Sequence, residues 1–386
     1  MKILTVDIGT GTQDIFLYDS RLDIENGFKL ILPSPTMRIF RRIQGATQSR
    51  SPILLSGVTM GGGPASWAAE AHAKAGLPVY ATVQAAKTLN DDLEKVTGLG
   101  ITLLSDDEAA SLPDSVQRFE LKDFDFAAIT KVLTDFGVPL NDLAAVAVAV
   151  FDHGEAPPHI SDRQFRFDYL NARIRSRNDL RTFAHLPGDI PPSMTRLQAV
   201  VDSSRQVDVP LVVMDTAPAA ILGATFDPLV RSRTHNLMTN LGNFHTLAFR
   251  LGESGVEGVF EHHTGLINPQ KLEILLLALA QGTLQHEFVF NDHGHGALVY
   301  DKTPFQMDTN DFNLVVTGPR RNMLAPGSIK MDSSLRPYFA VPFGDMMIAG
   351  CFGLLAAVAD LLTELAEPVI NSLQGLSASK VAPWEV

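Results

Sequence analysis

The chain has 386 residues, 45% of them hydrophobic and 19% charged, which allows a large packed core and excludes wholesale disorder. Its 31 Lys and Arg against 43 Asp and Glu leave a net charge of −12, whereas a nucleic-acid binder carries a basic face. One cysteine excludes an internal disulfide framework, and at ~150 residues per domain the length predicts two large domains.

The first nineteen residues, MKILTVDIGTGTQDIFLYD, read as a strand, a tight polar turn and a returning strand. Gly9 and Gly11 let backbone N–H groups approach an anion closely, and successive N–H groups form an anion-binding nest. Asp7, at the end of the first strand, is placed to hold Mg²⁺ through water. Further strands are predicted over 28–32, 53–57, 78–83 and 143–151, with helices over 64–75, 88–97 and 124–136. The arginines at 38–42 and Arg50 read as a solvated surface. Residues 57–63, GVTMGGG, precede Pro64 and a predicted helix N-terminus, a place that can hold an anion, although no GK[ST] follows. The LAAVAVAVF run at 143–151 suits a strand buried on both faces. Asp152 at its end is a candidate for general acid–base work or cation binding.

Residues 152–205 read as a helical, polar crossing segment. A strand is predicted at 211–214, with Asp215 then capping a helix over 216–223. A second strand, glycine turn and returning strand follows at 236–251. A helix is predicted over 270–281, with Pro269 in its first turn. Two histidine clusters flank this half: Glu261-His262-His263, and Asp292-His293-Gly294-His295. Imidazole and carboxylate are ligands for zinc and other transition metals, so His262, His263, His293 and His295 are candidates for a metal or for substrate contact. The tail after Pro368 reads as loosely ordered.

Five segments together resemble the superfamily of actin, sugar kinases and heat-shock chaperone ATPases. Residues 3–19 resemble its first phosphate motif. Residues 211–224, LVVMDTAPAAILGA, resemble its connecting segment, and 236–249, NLMTNLGNFHTLAF, its second phosphate motif. Residues 313–324, NLVVTGPRRNML, resemble its adenosine motif, and 341–357, VPFGDMMIAGCFGLLAA, its closing small-residue helix. Within the superfamily the chain is most similar to a group of actin-like ATPases whose members are sometimes labelled pyruvate formate-lyase activating proteins. One cysteine cannot hold the iron–sulfur cluster that a radical activase needs.

The resemblance implies an α/β protein of two ribonuclease H-like domains, residues 1–205 and 206–386, around an interdomain nucleotide cleft. It implies ATP and Mg²⁺ as cofactors. Gly9, Thr10, Gly11 and Thr12 would grip the phosphates from one side, and Gly242, Asn243 and Thr246 from the other. Gly318 and Pro319 would lie near the purine, and Asp215 or Asp152 would orient the nucleophile. Asn240 stands where the family commonly has Asp. Three functions stay open: an ATPase or small-molecule kinase, an ATP-switched regulatory protein read by a protein partner, and a hydantoinase- or oxoprolinase-like amide-bond enzyme. The N-terminus enters a strand directly, and no apolar run reaches the ~18 residues of a membrane span. The expected location is cytoplasmic, with no membrane or nucleic-acid partner and a homodimer left open.

Overall fold

The computed structural model describes residues 1–325, 334–376 and 381–385. It shows a mixed α/β protein with three sheets. β1 (Lys2–Ile8) and β2 (Thr12–Asp19) form an antiparallel hairpin, and β3 (Phe28–Pro33) adds to it antiparallel. The chain then leaves to build a separate sheet from β4 (Ile53–Gly57), β5 (Val79–Thr82), β6 (Ile101–Leu104) and β7 (Gln117–Leu121). All its pairs are parallel, in the order β6-β5-β4-β7. The strands expected at 53–57 and 78–83 therefore belong to an inserted unit with its own core, which holds Ile39, Ile43, Ala65 and Ala69 from two flanking helices.

The chain returns as β8 (Leu143–Val150), parallel to β1. β10 (Leu211–Asp215) lies parallel to β8, and the two-residue β9 (Ala184–His185) closes that edge. The strand expected to begin the second half thus completes the first sheet, so the change of sheet falls after Asp215.

The second sheet holds β11 (Asn236–Leu241), β12 (His245–Gly252), β13 (Gly255–His263), β14 (Gly296–Val299), β15 (Leu314–Thr317) and β16 (Pro337–Phe339). Its order is β14-β13-β12-β11-β15-β16. Strip β9 from one sheet and β14 from the other, and each has three antiparallel strands followed by two parallel ones in the same sequential order.

The alternation in β8 fixes what covers the first sheet. Ala145, Ala147 and Ala149 face one side, where small side chains admit close helices. Val146, Val148 and Val150 face the other, packing with Ile129, Leu133, Leu197 and Val200. On the alanine side lie the linking helix Thr216–Ala224 and the late helix Ala349–Leu361, in one core that continues to Met238, Leu247 and Val315 of the second sheet. The two helices cross almost backbone to backbone. A Cβ on Gly223 would collide with the Ala349 carbonyl, and one on Gly353 with the Ala219 carbonyl.

Several local expectations change. The helix expected over 88–97 forms as Leu93–Gly98; a short helix, Val83–Ala86, precedes it, and Lys87 to Asp92 between them carry no helix. Residues 152–161 carry no helix, with Pro157 and Pro158 among them; the crossing becomes helical only at Asp162–Ser176. Between Gly318 and Ala325 the described chain forms a 3₁₀ turn, Arg321–Leu324. Of the tail expected to be loose after Pro368, the part up to Gln374 belongs to the helix Ala366–Gln374, which buries Val369 and Leu373, while residues 377–380 and 386 lie outside the described residues. Pro368 sits in the first turn of that helix, where no intrahelical N–H bond is lost. Among the described residues, no single helix is long and apolar enough to cross a membrane.

Candidate functional site

The two hairpin turns are built alike. Gly9 N–H donates to the Thr12 carbonyl at 2.9 Å, and Gly242 N–H donates to the His245 carbonyl at 3.0 Å. By this correspondence Asn240 takes the place of Asp7, and His245 that of Thr12. The Ser34 hydroxyl secures the first turn at the Thr10 carbonyl, and the Thr264 hydroxyl the second at the Gly242 carbonyl. The turns face each other: a Cβ on Gly11 would lie 2.7 Å from the Asn243 amide nitrogen. They line a cleft of about 1340 Å³ with Asp7, Asp14, Asn240, Thr317, Gly318 and Pro319.

Asp7 and Asp14 are directly paired across the first hairpin. Burial raises the Asp7 carboxyl to about 7; the Thr216 hydroxyl, donating to it, lowers it, and the Asp215 charge raises it. Burial and the neighbouring Asp7 raise Asp14 to about 8. Asp14 Oδ1 is buried without a partner. Gly350, opening the late helix, presses on Asp7, since a Cβ there would overlap the carboxylate. Two buried acids with an orphan oxygen form a site that lacks positive charge, and a hydrated Mg²⁺ fits it.

The inserted unit supplies another wall through Met60 to Gly63, Trp67 and Lys87. Its glycine loop has less free backbone than the sequence implies. Gly61 N–H donates to both Asp123 oxygens, and Asp123 is also held by Arg196 at 2.7 Å. The Ala65 N–H is taken by the Thr36 hydroxyl. Trp67 meets Phe244 of the second turn at 5.4 Å between ring centroids.

Beneath the cleft floor lies a group invisible in the sequence. Arg166, on the Asp162–Ser176 helix, is wholly buried. Its Nη1 donates to Asp215 at 2.6 Å and its Nε to Glu261 at 2.7 Å. It also donates to the Asp152 carbonyl and lies 4.0 Å from the Phe151 ring centroid. Glu261 is pushed up to about 7 by burial, against the pull of Arg166.

The structure gathers some predicted residues and disperses others. Asp7, Gly9 to Thr12, Asn240, Gly242, Asn243, Gly318, Pro319, Asp152 and His263 line the cleft. Thr246 instead turns inward to share a hydrogen bond with Thr264. Asp215 is buried in its pair with Arg166 and caps Ala217 N–H, so it does not face the cleft. Asp152 lines the cleft, but its oxygens accept from Gly154 and Leu197 N–H. The histidine clusters also divide. His262 is buried against the His263 and Asp292 carbonyls, and His293 is exposed on a loop with φ 65°. His295 joins His153 and His245. His153 follows β8 in FDHGEA, and His245 opens β12; their shared signal was position at the ends of two strands of equivalent sheets.

No curated protein matches the chain. Among solved structures, the activator of the 2-hydroxyisocaproyl-CoA dehydratase from Clostridium difficile with bound ADPNP is similar over 99% of this chain and 100% of that one, at 8% identity and a TM-score of 0.34. An exopolyphosphatase-like protein is similar over 73% of this chain and 59% of that one, at 10% identity and a TM-score of 0.23. The family model described as "Putative pyruvate format-lyase activating enzyme (DUF1786)" matches residues 60–323, more than half of the sequence, and the chain belongs to that family.

Proposed function

We propose that the two matching sheets are ribonuclease H-like domains of the actin-like ATPase fold, and that the cleft between them binds ATP with Mg²⁺. The observation that carries this reading is the pair of equivalent glycine turns facing each other across one cleft, with a buried acidic pair at the base of the first. The Gly9–Thr12 and Gly242–Asn243 backbones would hold phosphate oxygens, and Gly318 and Pro319 would border the purine. Asp7 and Asp14 would hold Mg²⁺ through its waters; when bound, that ion would spread charge over the β- and γ-phosphates. Iron–sulfur radical chemistry gains no support from the residues, because the one cysteine, Cys351, is buried and donates to the Asp14 carbonyl.

The same geometry favours slow turnover. Asp215 is neutralised by Arg166, Asp152 is occupied by backbone N–H groups, and Asn240 supplies an amide where a carboxylate would order water. An ATP-switched regulatory protein is therefore the second reading, favoured over a small-molecule kinase.

Calorimetric titration with Mg-ATP on wild type and Asp7→Ala tests the site. The variant is expected to lose at least ~10-fold in affinity, ~1.4 kcal/mol. Equal binding in both removes the phosphate-site assignment. Phosphate release measured in the same samples separates slow hydrolysis from binding alone.

A further inference from the structure

We infer that His153, His245 and His295 form a binding site for one divalent transition metal, of the zinc type, at the wall of the cleft. One ring nitrogen from each lies within 4.8 Å of the other two. Tetrahedral ligands about 2.0–2.1 Å from Zn²⁺ stand roughly 3.4 Å apart, so closing the site takes ring shifts of about an ångström. Three further observations point to a ligand. His245 Nε2 and His295 Nε2 are buried without a hydrogen-bond partner, which is costly unless something binds them. The Glu261 Oε1 oxygen, also without a partner, lies 3.4 Å from His295 Nδ1. A carboxylate behind a histidine is the usual arrangement for fixing the tautomer of a metal ligand. Finally, the Arg166 charge beside the cluster is already met by Asp215 and Glu261.

Three neutral imidazoles suit Zn²⁺ and its first-row neighbours and not Mg²⁺, which prefers oxygen. His153 and His245 also line the cleft, so the fourth position opens towards water or an entering oxyanion. The ligands come from both sheets: His153 follows β8 of the first, while His245 and His295 begin β12 and precede β14 of the second. A bound metal would therefore tie the two halves together across the cleft. His263, with its ring 4.7 Å from His295 and 5.1 Å from His245, stands as a neighbouring donor.

The test is titration of chelator-treated full-length protein with Co²⁺, followed by its visible d–d absorption, and with Zn²⁺ in competition with a chromophoric chelator. No nucleotide is present, so the result is independent of ATP binding. Wild type is expected to take up one equivalent with the intense visible band of four-coordinate Co²⁺. His153→Gln, at the cleft wall, is expected to weaken Zn²⁺ binding at least ~100-fold, and Glu261→Gln about 10–100-fold. Circular dichroism and thermal melting establish that the variants fold. An absent Co²⁺ band in wild type overturns the site, whatever the variants do. So does unchanged uptake in folded His153→Gln, which would assign the binding to surface histidines.

Discussion

Arg166 governs the floor of the cleft more than any residue that lines it. A guanidinium fully removed from water is tolerable only because two carboxylates and a carbonyl meet it. Replacing it with Met leaves Asp215 and Glu261 buried without their cation, so Arg166→Met is expected to cost about 3–5 kcal/mol in urea unfolding. A loss below ~1 kcal/mol would show that the guanidinium is not needed to offset the two buried carboxyl groups. Sequence reading gave this residue no role, since the helix around it, DRQFRFDYLNARIRS, is polar with no clean apolar face. Asp7 and the two glycine turns were legible, because an acid before a glycine turn between apolar strands is a local pattern. The destinations of Asp215 and Thr246 were not, because their partners, Arg166 and Thr264, are 49 and 18 residues away.

At the scale of elements, the crossing of the linking and late helices is set by missing side chains. Gly223 and Gly353 place each helix against a carbonyl of the other. Gly353→Ala adds one methyl group where the Ala219 backbone already lies, so a loss of about 1–3 kcal/mol is expected from overpacking. Gly45, on an outer helix with open space at its Cβ, provides the control, and Gly45→Ala is expected to hold or raise the melting temperature. Comparable melting of the two variants would show that the helices can slide apart without penalty. The strands of both hairpins and β8 were readable from apolar runs and the glycines between them. The separate inserted sheet was not, because short parallel strands carry the same apolar signature whichever sheet they join. The last helix was missed because a proline in its first turn reads as a breaker.

For the whole molecule, buried acids and buried imidazoles pull stability in opposite directions with pH. Asp7 and Asp14 titrate near 7 and 8 in the fold against about 3.9 unfolded, so the folded state binds more protons between those limits and loses stability as pH rises through them. His153 and His185, held down to about 3 and 4 mainly by burial, do the reverse, gaining stability up to about 6.5. Above pH 6.5 only the acids remain of these four. The unfolding free energy in chelator, and with it the melting temperature, is expected to fall between about pH 6.5 and 8.5, the free energy by at most ~1.4 kcal/mol per proton per pH unit. Glu261, also raised to about 7, adds to the fall, so millimolar Mg²⁺ or Asp14→Asn is expected to reduce it without removing it, and a flat wild-type profile would mean that these carboxylates ionise normally. The duplicated strand order was legible as two hairpin motifs, whereas the completion of the first sheet by a strand after residue 205 was not. That completion has a consequence for how the chain is made. Residues 53–121 supply every strand of the inserted sheet, so that unit can close soon after it leaves the ribosome. β1, the first strand synthesised, has its alanine-side face covered only when residues 349–361 arrive. The beginning of the protein must therefore wait, exposed or chaperoned, for almost its end.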